Sequence, residues 1–364
     1  MINNFIPKPV LVSGIQPSGR LHIGNFLGAL KNFVELQNSE KYECYFFIAD
    51  LHALTENPDP KELKENIINL AADFLAIGLD PKKSVIFRQS QIKFVEELKW
   101  ILSPLVPVSE LMRMTAFKDK INQIESEKDK YLILHDSENG DQSEISPDIL
   151  ERIKQEPPNS GLLDYPILMA ADILIYDGQF VPVGNDQLQH LEFARTLARK
   201  FNNRFGKTFV EPQPILTKTP RVMSLDDPSK KMSKSRPQGC LFIDDSPEEI
   251  KKKIARAVTD SDSKISYDPA KKPGLSNLLG IYAALKNIDA KNAEKEFAGK
   301  SYAEFKSELA GLVADYFADF RKKKKELLAK PENLKKVLND GSEKARAVAD
   351  KKIQEVKEKI GIAL

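Results

Sequence analysis

Two short motifs, distant in the chain, carry residue types suited to gripping a nucleoside triphosphate from two sides: His22-Ile23-Gly24-Asn25 and Lys231-Met232-Ser233-Lys234-Ser235. The segment Ser13-Gly14-Ile15-Gln16-Pro17-Ser18-Gly19 leads into the first, and its glycines permit tight turns and close approach of backbone to a ligand. The helix that follows presents its N-terminus, which favours negative charge. His22 stands where a ring N–H can donate to a phosphate; a capping or packing role is the alternative. The segment is neither a Walker loop nor GxGxxG, so the standard kinase and dinucleotide readings fall away. The second motif sits in a loop opened by Asp226-Asp227-Pro228-Ser229 and followed by Arg236-Pro237. Two lysines there can follow the charge that builds on pyrophosphate as a bond to the α-phosphorus breaks, and the Ser233 and Ser235 hydroxyls add hydrogen bonds. Either motif alone is weak, and the pair in this order is much stronger. Nothing elsewhere forms a nucleophile, base and orienter set, so no covalent intermediate is required.

A third group points to a small substrate. In Tyr165-Pro166-Ile167-Leu168-Met169-Ala170-Ala171-Asp172-Ile173-Leu174-Ile175-Tyr176 the proline sits where a helix would start, and Tyr165, Met169, Asp172 and Tyr176 form one stripe of it. A carboxylate among an aromatic and a thioether costs roughly several kcal/mol to bury unpaired. A ligand N–H can be its donor. Indole offers one N–H and no acceptor, so this slot suits tryptophan better than phenylalanine. The alternative is that Asp172 pairs with a basic side chain or faces solvent. Further on, Phe180-Val181-Pro182-Val183 reads as a strand with Val181 and Val183 on one face, and Gly184-Asn185-Asp186-Gln187 opens a helix. Asp186 and Gln187 can hold a ribose or an ammonium, though Asp at a helix start is more often a cap.

These groups need a scaffold, and the first half of the chain supplies its pattern. Val10-Leu11-Val12, Tyr45 to Ala49 and Ser84 to Phe87 are strand-like, with helix-like Asn25 to Gln37 and Lys61 to Ile77 between them. Such alternation implies βαβ units and a parallel sheet covered on both faces. Ligands bind at the carboxyl ends of such strands, which points at Ser13 to Gln16, Asp50-Leu51-His52 and Arg88-Gln89-Ser90. From about 121 to 161 the pattern breaks into charged and turn-forming residues. A surface insertion is expected there, with a short helix at Ser146 to Gln155. Ser246-Pro247-Glu248-Glu249 has the form of a helix start, and the chain from there is helical in pattern. The expected division is therefore 1–245, an α/β domain carrying the insertion and the loop 226–237, and a separate all-α domain, 246–364.

Composition narrows the classes. With 364 residues, 41% hydrophobic and 30% charged, the chain can bury a sizeable core. No apolar run reaches membrane-spanning length and Met1 to Lys8 is no secretory signal, so a cytoplasmic location is expected. Two cysteines, Cys44 and Cys240, without metal-ligand spacing, argue against structural metal or a disulfide framework. A net charge of +2 excludes a bulk electrostatic grip on nucleic acid. Local RNA contact would fall to runs such as Lys251 to Lys253 and Arg321 to Lys325, each of which reads more readily as a solvated helix face.

Taken together, Ser13 to Gly19, His22 to Asn25, Asp50-Leu51-His52, Met169 to Leu174, Val181 to Gly184, Arg221 to Leu225 and Lys231 to Ser235 resemble the bacterial tryptophanyl-tRNA synthetases, class I aminoacyl-tRNA synthetases. The likeness covers nearly all the chain except the insertion. It implies a Rossmann-type parallel-sheet catalytic domain, an all-α anticodon-binding domain, and a homodimer whose two subunits share one tRNA(Trp). It implies catalytic roles for His22, Asn25, Lys231 and Lys234. ATP, with Mg2+ on its phosphates and no protein cage for the ion, would be bound by Gln16, Pro17, Ser18, Gly24, Asn25, Lys120, Gly184, Asp186, Gln187, Val222, Met232, Ser233 and Ser235. Tryptophan would be bound by Val12, Gly14, His52, Tyr165, Met169, Asp172, Val181, Val183 and Gln187, with Asp172 accepting the indole N–H. Two positions depart from the family pattern: Val12 stands where an aromatic residue is frequent, and Asn185 where an acidic one is common.

The implied reaction has two steps. The tryptophan carboxylate attacks the α-phosphorus of ATP and releases pyrophosphate; the 2′-hydroxyl of the terminal tRNA adenosine then takes the aminoacyl group. Three rivals stand beside it. A tyrosyl-tRNA synthetase would need a second polar partner for the phenol, which is not evident. A small-molecule adenylyltransferase would have little use for the long helical segment, and a silent RNA- or protein-binding relative would be expected to carry a broken motif, whereas both motifs are intact.

Overall fold

The computed structural model describes residues 7–115, 117–119, 121–122, 159–216, 221–234, 236–262 and 264–363. Most of the expected insertion at 121–161, with its helix at Ser146 to Gln155, lies outside them, as do Lys120 and Ser235. Strands β1 (Val10–Ile15), β2 (Glu43–Ile48), β3 (Ser84–Arg88), β4 (Phe180–Val183) and β5 (Gln213–Leu216) form one sheet in the order β3-β2-β1-β4-β5. Every pairing is parallel. The fifth strand has no counterpart in the pattern reading, since the edge strand Gln213-Pro214-Ile215-Leu216 is short and its side chains are exposed or half-buried, leaving no apolar run to mark it.

Side chains alternate across the sheet because successive residues of a strand point to opposite faces. Leu11, Cys44, Phe46, Ile48 and Ile86 join one apolar cluster, and Val12, Tyr45, Phe47, Phe87, Val181 and Val183 the other. Strand order reverses between β1 and β4, and a crevice opens there, as at other topological switch points. The chain enters its first helical stretch as α1 (Ile23–Asn25), passes a π-helical turn (Phe26–Leu30) and continues as α2 (Lys31–Asn38). The short α3 (Asp50–Ala53) follows β2, and α4 (Pro60–Ile77) covers the first face. After β3 come α5 (Phe94–Leu102) and α6 (Val108–Leu111).

The helix bearing Asp172 differs from expectation. α7 spans Ser160–Leu174, opened by the Asn159 side chain accepting from Leu162 N–H at 2.8 Å, so Pro166 lies inside it and not at its start. A good cap nearly two turns earlier outweighs the proline signal. Tyr176 lies past the helix end and stacks on Tyr45 with ring centroids 5.1 Å apart, so it leaves the stripe of Tyr165, Met169 and Asp172. The helix α8 (Leu188–Phe205) links β4 to β5.

From α9 (Pro247–Arg256) onward the elements are helical: α10 (Pro273–Lys286), α11 (Ala290–Glu296), α12 (Tyr302–Tyr316), α13 (Ala318–Leu328) and α14 (Pro331–Ile360). Ser246 and Glu249 form the capping box expected at the start of α9. The apolar residues of α9 to α13 run into the sheet cluster under α4 without a break. The long α14 returns across β3: Leu334 and Leu338 join one face, while Ala345, Ala349, Ile353 and Val356 join the other. Gly341 permits this crossing, since a Cβ there would stand 1.9 Å from the Ile86 carbonyl oxygen.

Candidate active site

Between β1 and β4 lies a cleft of about 520 Å³. Its walls bring together Val12, Gly14, Gln16, Asn25, His52, Tyr165, Met169, Asp172, Val181, Val183, Gly184 and Gln187, contributed by both halves of the sheet. All of these belong to the set expected from sequence. His22 is tied to the lining residue Asn25, and Lys234 to Ser18 two residues beyond the lining residue Gln16.

At the cleft floor Asp172 is 2% exposed. His52 Nε2 lies 2.9 Å from its Oδ2, and Gln89 Nε2 donates to both oxygens at 2.9 and 2.8 Å. Burial pushes the Asp172 carboxyl above the usual range, and the hydrogen bonds from His52 and Gln89 oppose that shift. Three contacts leave one of about four acceptor positions on the carboxylate. Tyr165 Oη stands 2.5 Å from His190 Nε2, and its ring meets His52 edge-on with centroids 6.1 Å apart.

Gln89 is not among the expected site residues, although the strand-end rule points at its tripeptide. Its amide oxygen accepts Leu51 N–H at 3.1 Å and His52 N–H at 3.4 Å, the early amides of α3. The cap position of α3 is Ala49, which has no polar side chain to serve. A neighbouring strand therefore supplies the cap, and no local sequence signal could report it. Asp50 ties the same two strand ends together, accepting Ser90 N–H at 2.9 Å and Ser90 Oγ–H at 2.6 Å.

Phe47 is a second wall outside the expected set. It pairs in register with Gly14, and its ring lies 2.4 Å from where a Gly14 Cβ would stand. An aromatic surface thus reaches the cleft from β2, beside the position where Val12 departs from the family pattern.

At the other end of the cleft, next to Asn25, His22 caps α1. Its Nδ1 accepts Asn25 N–H at 3.2 Å, while Asn25 Oδ1 accepts His22 N–H at 3.1 Å. Capping and ligand binding are not exclusive here. With Nδ1 as acceptor, the proton of the neutral ring sits on Nε2, where it can be donated to a ligand. Burial, reinforced by Lys234 and Lys231, pushes His22 down to about 4, so it is neutral near pH 7. Gly24 is required by the same ring: a Cβ there would stand 2.9 Å from His22 Nδ1 and Cε1.

The loop carrying Lys231 and Lys234 is anchored to this helix start through backbone. Ile23 N–H donates to Leu241 carbonyl at 2.8 Å, and Ile243 N–H to Leu21 carbonyl at 3.0 Å. Val222 and Met232 are buried beneath the loop, where Met232 N–H donates to the Val222 carbonyl at 3.1 Å. Lys234 Nζ reaches across to Ser18 Oγ at 3.0 Å and the Gly19 carbonyl at 3.1 Å. Burial lowers Lys234 to about 8, with the Asp73 carboxylate opposing that shift. Cys240 Sγ–H donates to the Ser233 carbonyl at 3.0 Å, and Lys231 is exposed. Asn185 and Gln187 belong to a 3-10 turn after β4, with Gln187 at the cleft.

The site thus combines an aromatic-walled pocket around a buried acceptor with a neutral imidazole and an ammonium beside a glycine-containing turn. The model of the family described as tRNA synthetases class I (W and Y) matches residues 7–136 and 143–318. A relative named tryptophan–tRNA ligase, from Caldanaerobacter subterraneus subsp. tengcongensis, is 44% identical over 355 residues, covering 97% of this chain and 98% of its own. The tryptophanyl-tRNA synthetase of Campylobacter jejuni, solved with ADP and tryptophan, is 37% identical with a TM-score of 0.76, covering 96% of this chain and 99% of that one. The Mycoplasma pneumoniae structure of the same name has a TM-score of 0.80 at 33% identity, with 98% of each chain covered.

Proposed function

The chain belongs to the class I tRNA synthetases of the tryptophan and tyrosine kind, and from that premise we propose how its residues carry out the reaction it catalyses, the ATP-driven joining of tryptophan to tRNA. The observation that carries the reading is the buried Asp172 carboxylate, fixed by Gln89 and His52 at the floor of a cleft that also reaches Gln16 and Asn25. Its remaining acceptor position takes the indole N–H. Tyr165, Met169, Val181, Val183 and Phe47 enclose the ring, and Gln187 holds the polar end of the amino acid together with the ribose. Tryptophan's own carboxylate, already ionised, is the nucleophile, so the protein's task is positioning and charge stabilisation.

ATP lies along the turn from Gln16 to Gly19 and over the start of α1. His22, neutral with its proton on Nε2, donates to a phosphate oxygen without competing for the proton. Lys234 shifts from Ser18 and the Gly19 carbonyl to the pyrophosphate as it leaves, aided by Lys231 and Ser233. Mg2+ arrives with the triphosphate as part of the substrate. Gly184 and Asp186 lie on the strand-to-helix turn assigned to the nucleoside. In the second step the 2′-hydroxyl of the terminal tRNA adenosine attacks the adenylate. The helices after Ser246 are taken as the anticodon-binding domain and the active unit as a cytoplasmic homodimer, a state for which the exposed Trp100, Val108 and Met112 supply an apolar surface. Among the described residues no helix is long and apolar enough to cross a membrane.

Pyrophosphate exchange into ATP, run with tryptophan, with tyrosine and with neither, tests the assignment. Exchange with tryptophan alone is the expected result, and exchange with tyrosine would overturn the pocket assignment. Lys234→Ala is expected to slow exchange by about 10²–10³ if the lysine acts like other preorganised donors; an unchanged rate removes the loop from the mechanism.

A further inference from the structure

The basic run Arg321 to Lys325 divides in the structure. Lys322, Lys323 and Lys325 face solvent, but Lys324 is 7% exposed. Its ammonium lies 2.7 Å from Asp73 Oδ1 on α4 and 2.9 Å from Asp244 Oδ2. Asp244 Oδ1 accepts Arg20 Nε–H at 2.9 Å and Nη2–H at 2.7 Å. Arg20 Nη2 also donates to Asp245 Oδ1 at 2.9 Å, and Lys253 Nζ to Asp245 Oδ2 at 2.6 Å. Arg20 immediately follows Gly19, whose carbonyl accepts from Lys234. The contacts therefore form a chain from α13 through Arg20 to the turn on which Lys234 docks.

Stability is a poor explanation for such a chain of contacts. A buried ion pair is often no more stabilising than apolar residues of the same shape, because two charges must be desolvated. What the ions supply is direction: each carboxylate fixes where the next cation sits. We propose that Lys324, Asp73 and Asp244 are positioning residues for the adenylation step, holding Arg20 and thereby the Ser18–Gly19 turn on which Lys234 docks. The seating of α13 on α4 then sets the geometry in which ATP is held. This deepens the reading of the cleft as an ATP site and rests on it.

The test uses the full chain and tryptophan-dependent pyrophosphate exchange, with KM for ATP and for tryptophan measured separately and thermal unfolding followed alongside. Lys324→Met is expected to lower kcat/KM for ATP by about ten- to a hundredfold, as a displaced catalytic geometry does, while KM for tryptophan stays within about twofold because the Asp172 pocket is untouched. If that variant fails to fold, the double substitution Asp73→Asn with Lys324→Met supplies the answer, since it leaves no unpaired charge on α4. The double variant is expected to regain the unfolding temperature but not the ATP parameters. Recovery of both would make the network merely structural and overturn the proposal, as would a folded Lys324→Met with normal ATP parameters. Lys323→Met, on the exposed side of the same helix, is expected to match the unmodified chain. Failure of the unmodified chain to exchange would overturn the cleft reading first and the proposal with it, so the two failures are told apart.

Discussion

Replacing Gln89 with leucine removes a group that touches two parts of the site at once. The amide nitrogen holds both oxygens of Asp172, and the amide oxygen caps α3 through Leu51 N–H and His52 N–H. Loss of a hydrogen-bond donor to a charged group costs about 1.5–3 kcal/mol. Loss of a helix cap adds about 1 kcal/mol. Leucine restores part of the volume but none of the polarity, so a destabilisation of about 2.5–4 kcal/mol is expected near pH 7. The deficit has a pH signature. Asp172 is already raised by burial, and removing Gln89 raises it further. A carboxyl raised in the folded state binds its proton more tightly there than when unfolded, so stability returns as pH falls toward the ordinary carboxylate range and is lost as pH rises through the folded value. Urea unfolding followed from neutral pH down toward the ordinary carboxylate range should therefore show the difference between variant and parent narrowing as pH falls. In exchange assays KM for tryptophan should rise about tenfold or more, equivalent to about 1.4 kcal/mol of binding. A Gln89→Leu chain within about 1 kcal/mol of the parent at pH 7, with unchanged KM for tryptophan, would refute the reasoning.

Three further outcomes follow from the geometry. His22 is depressed to about 4 from 6.5, so its contribution to stability should be fully present above pH 6.5 and fall as pH drops toward 4, by up to about 3 kcal/mol; denaturant unfolding across that range should be flatter in His22→Gln. Lys234 lowered to about 8 predicts that kcat/KM for ATP declines as pH rises through that value, because the ammonium loses its proton; Lys234→Arg should abolish this alkaline limb, and a limb that persists would assign it elsewhere. Gly341→Ala sets a Cβ 1.9 Å from the Ile86 carbonyl oxygen, forcing α14 off β3; thermal unfolding should report a loss of about 2 kcal/mol even though alanine favours helix by about 1.

Much of the candidate site is legible in the chain because the residues proposed for it fall in contiguous strings. The segments His22 to Asn25, Lys231 to Lys234 and Met169 to Asp172 each hold functional groups at local spacing, and strand-end logic places His52 and Gln187 beside them. The α/β character of the first half follows from alternation of apolar runs with helical periods, which local burial imposes directly. The start of α9 follows from Ser246, Pro247 and Glu249, because the Ser246 and Glu249 side chains satisfy amides within three residues.

Other features depend on groups remote in sequence. Gln89 caps a helix on another strand's end, Phe47 faces Gly14 only through the β1–β2 register, and Lys324 leaves the solvated face only because Asp73 and Asp244 come to meet it. α7 begins nearly two turns earlier than its proline suggests because Asn159 caps it, and Tyr176 falls beyond its end and off the pocket stripe. The kind of chemistry open to this chain is thus written in motif, period and cap, which are short-range properties of the polypeptide. The neighbours that orient that chemistry are set by folding, because a hydrogen bond or ion pair between distant residues leaves no periodic trace in the segment on either side.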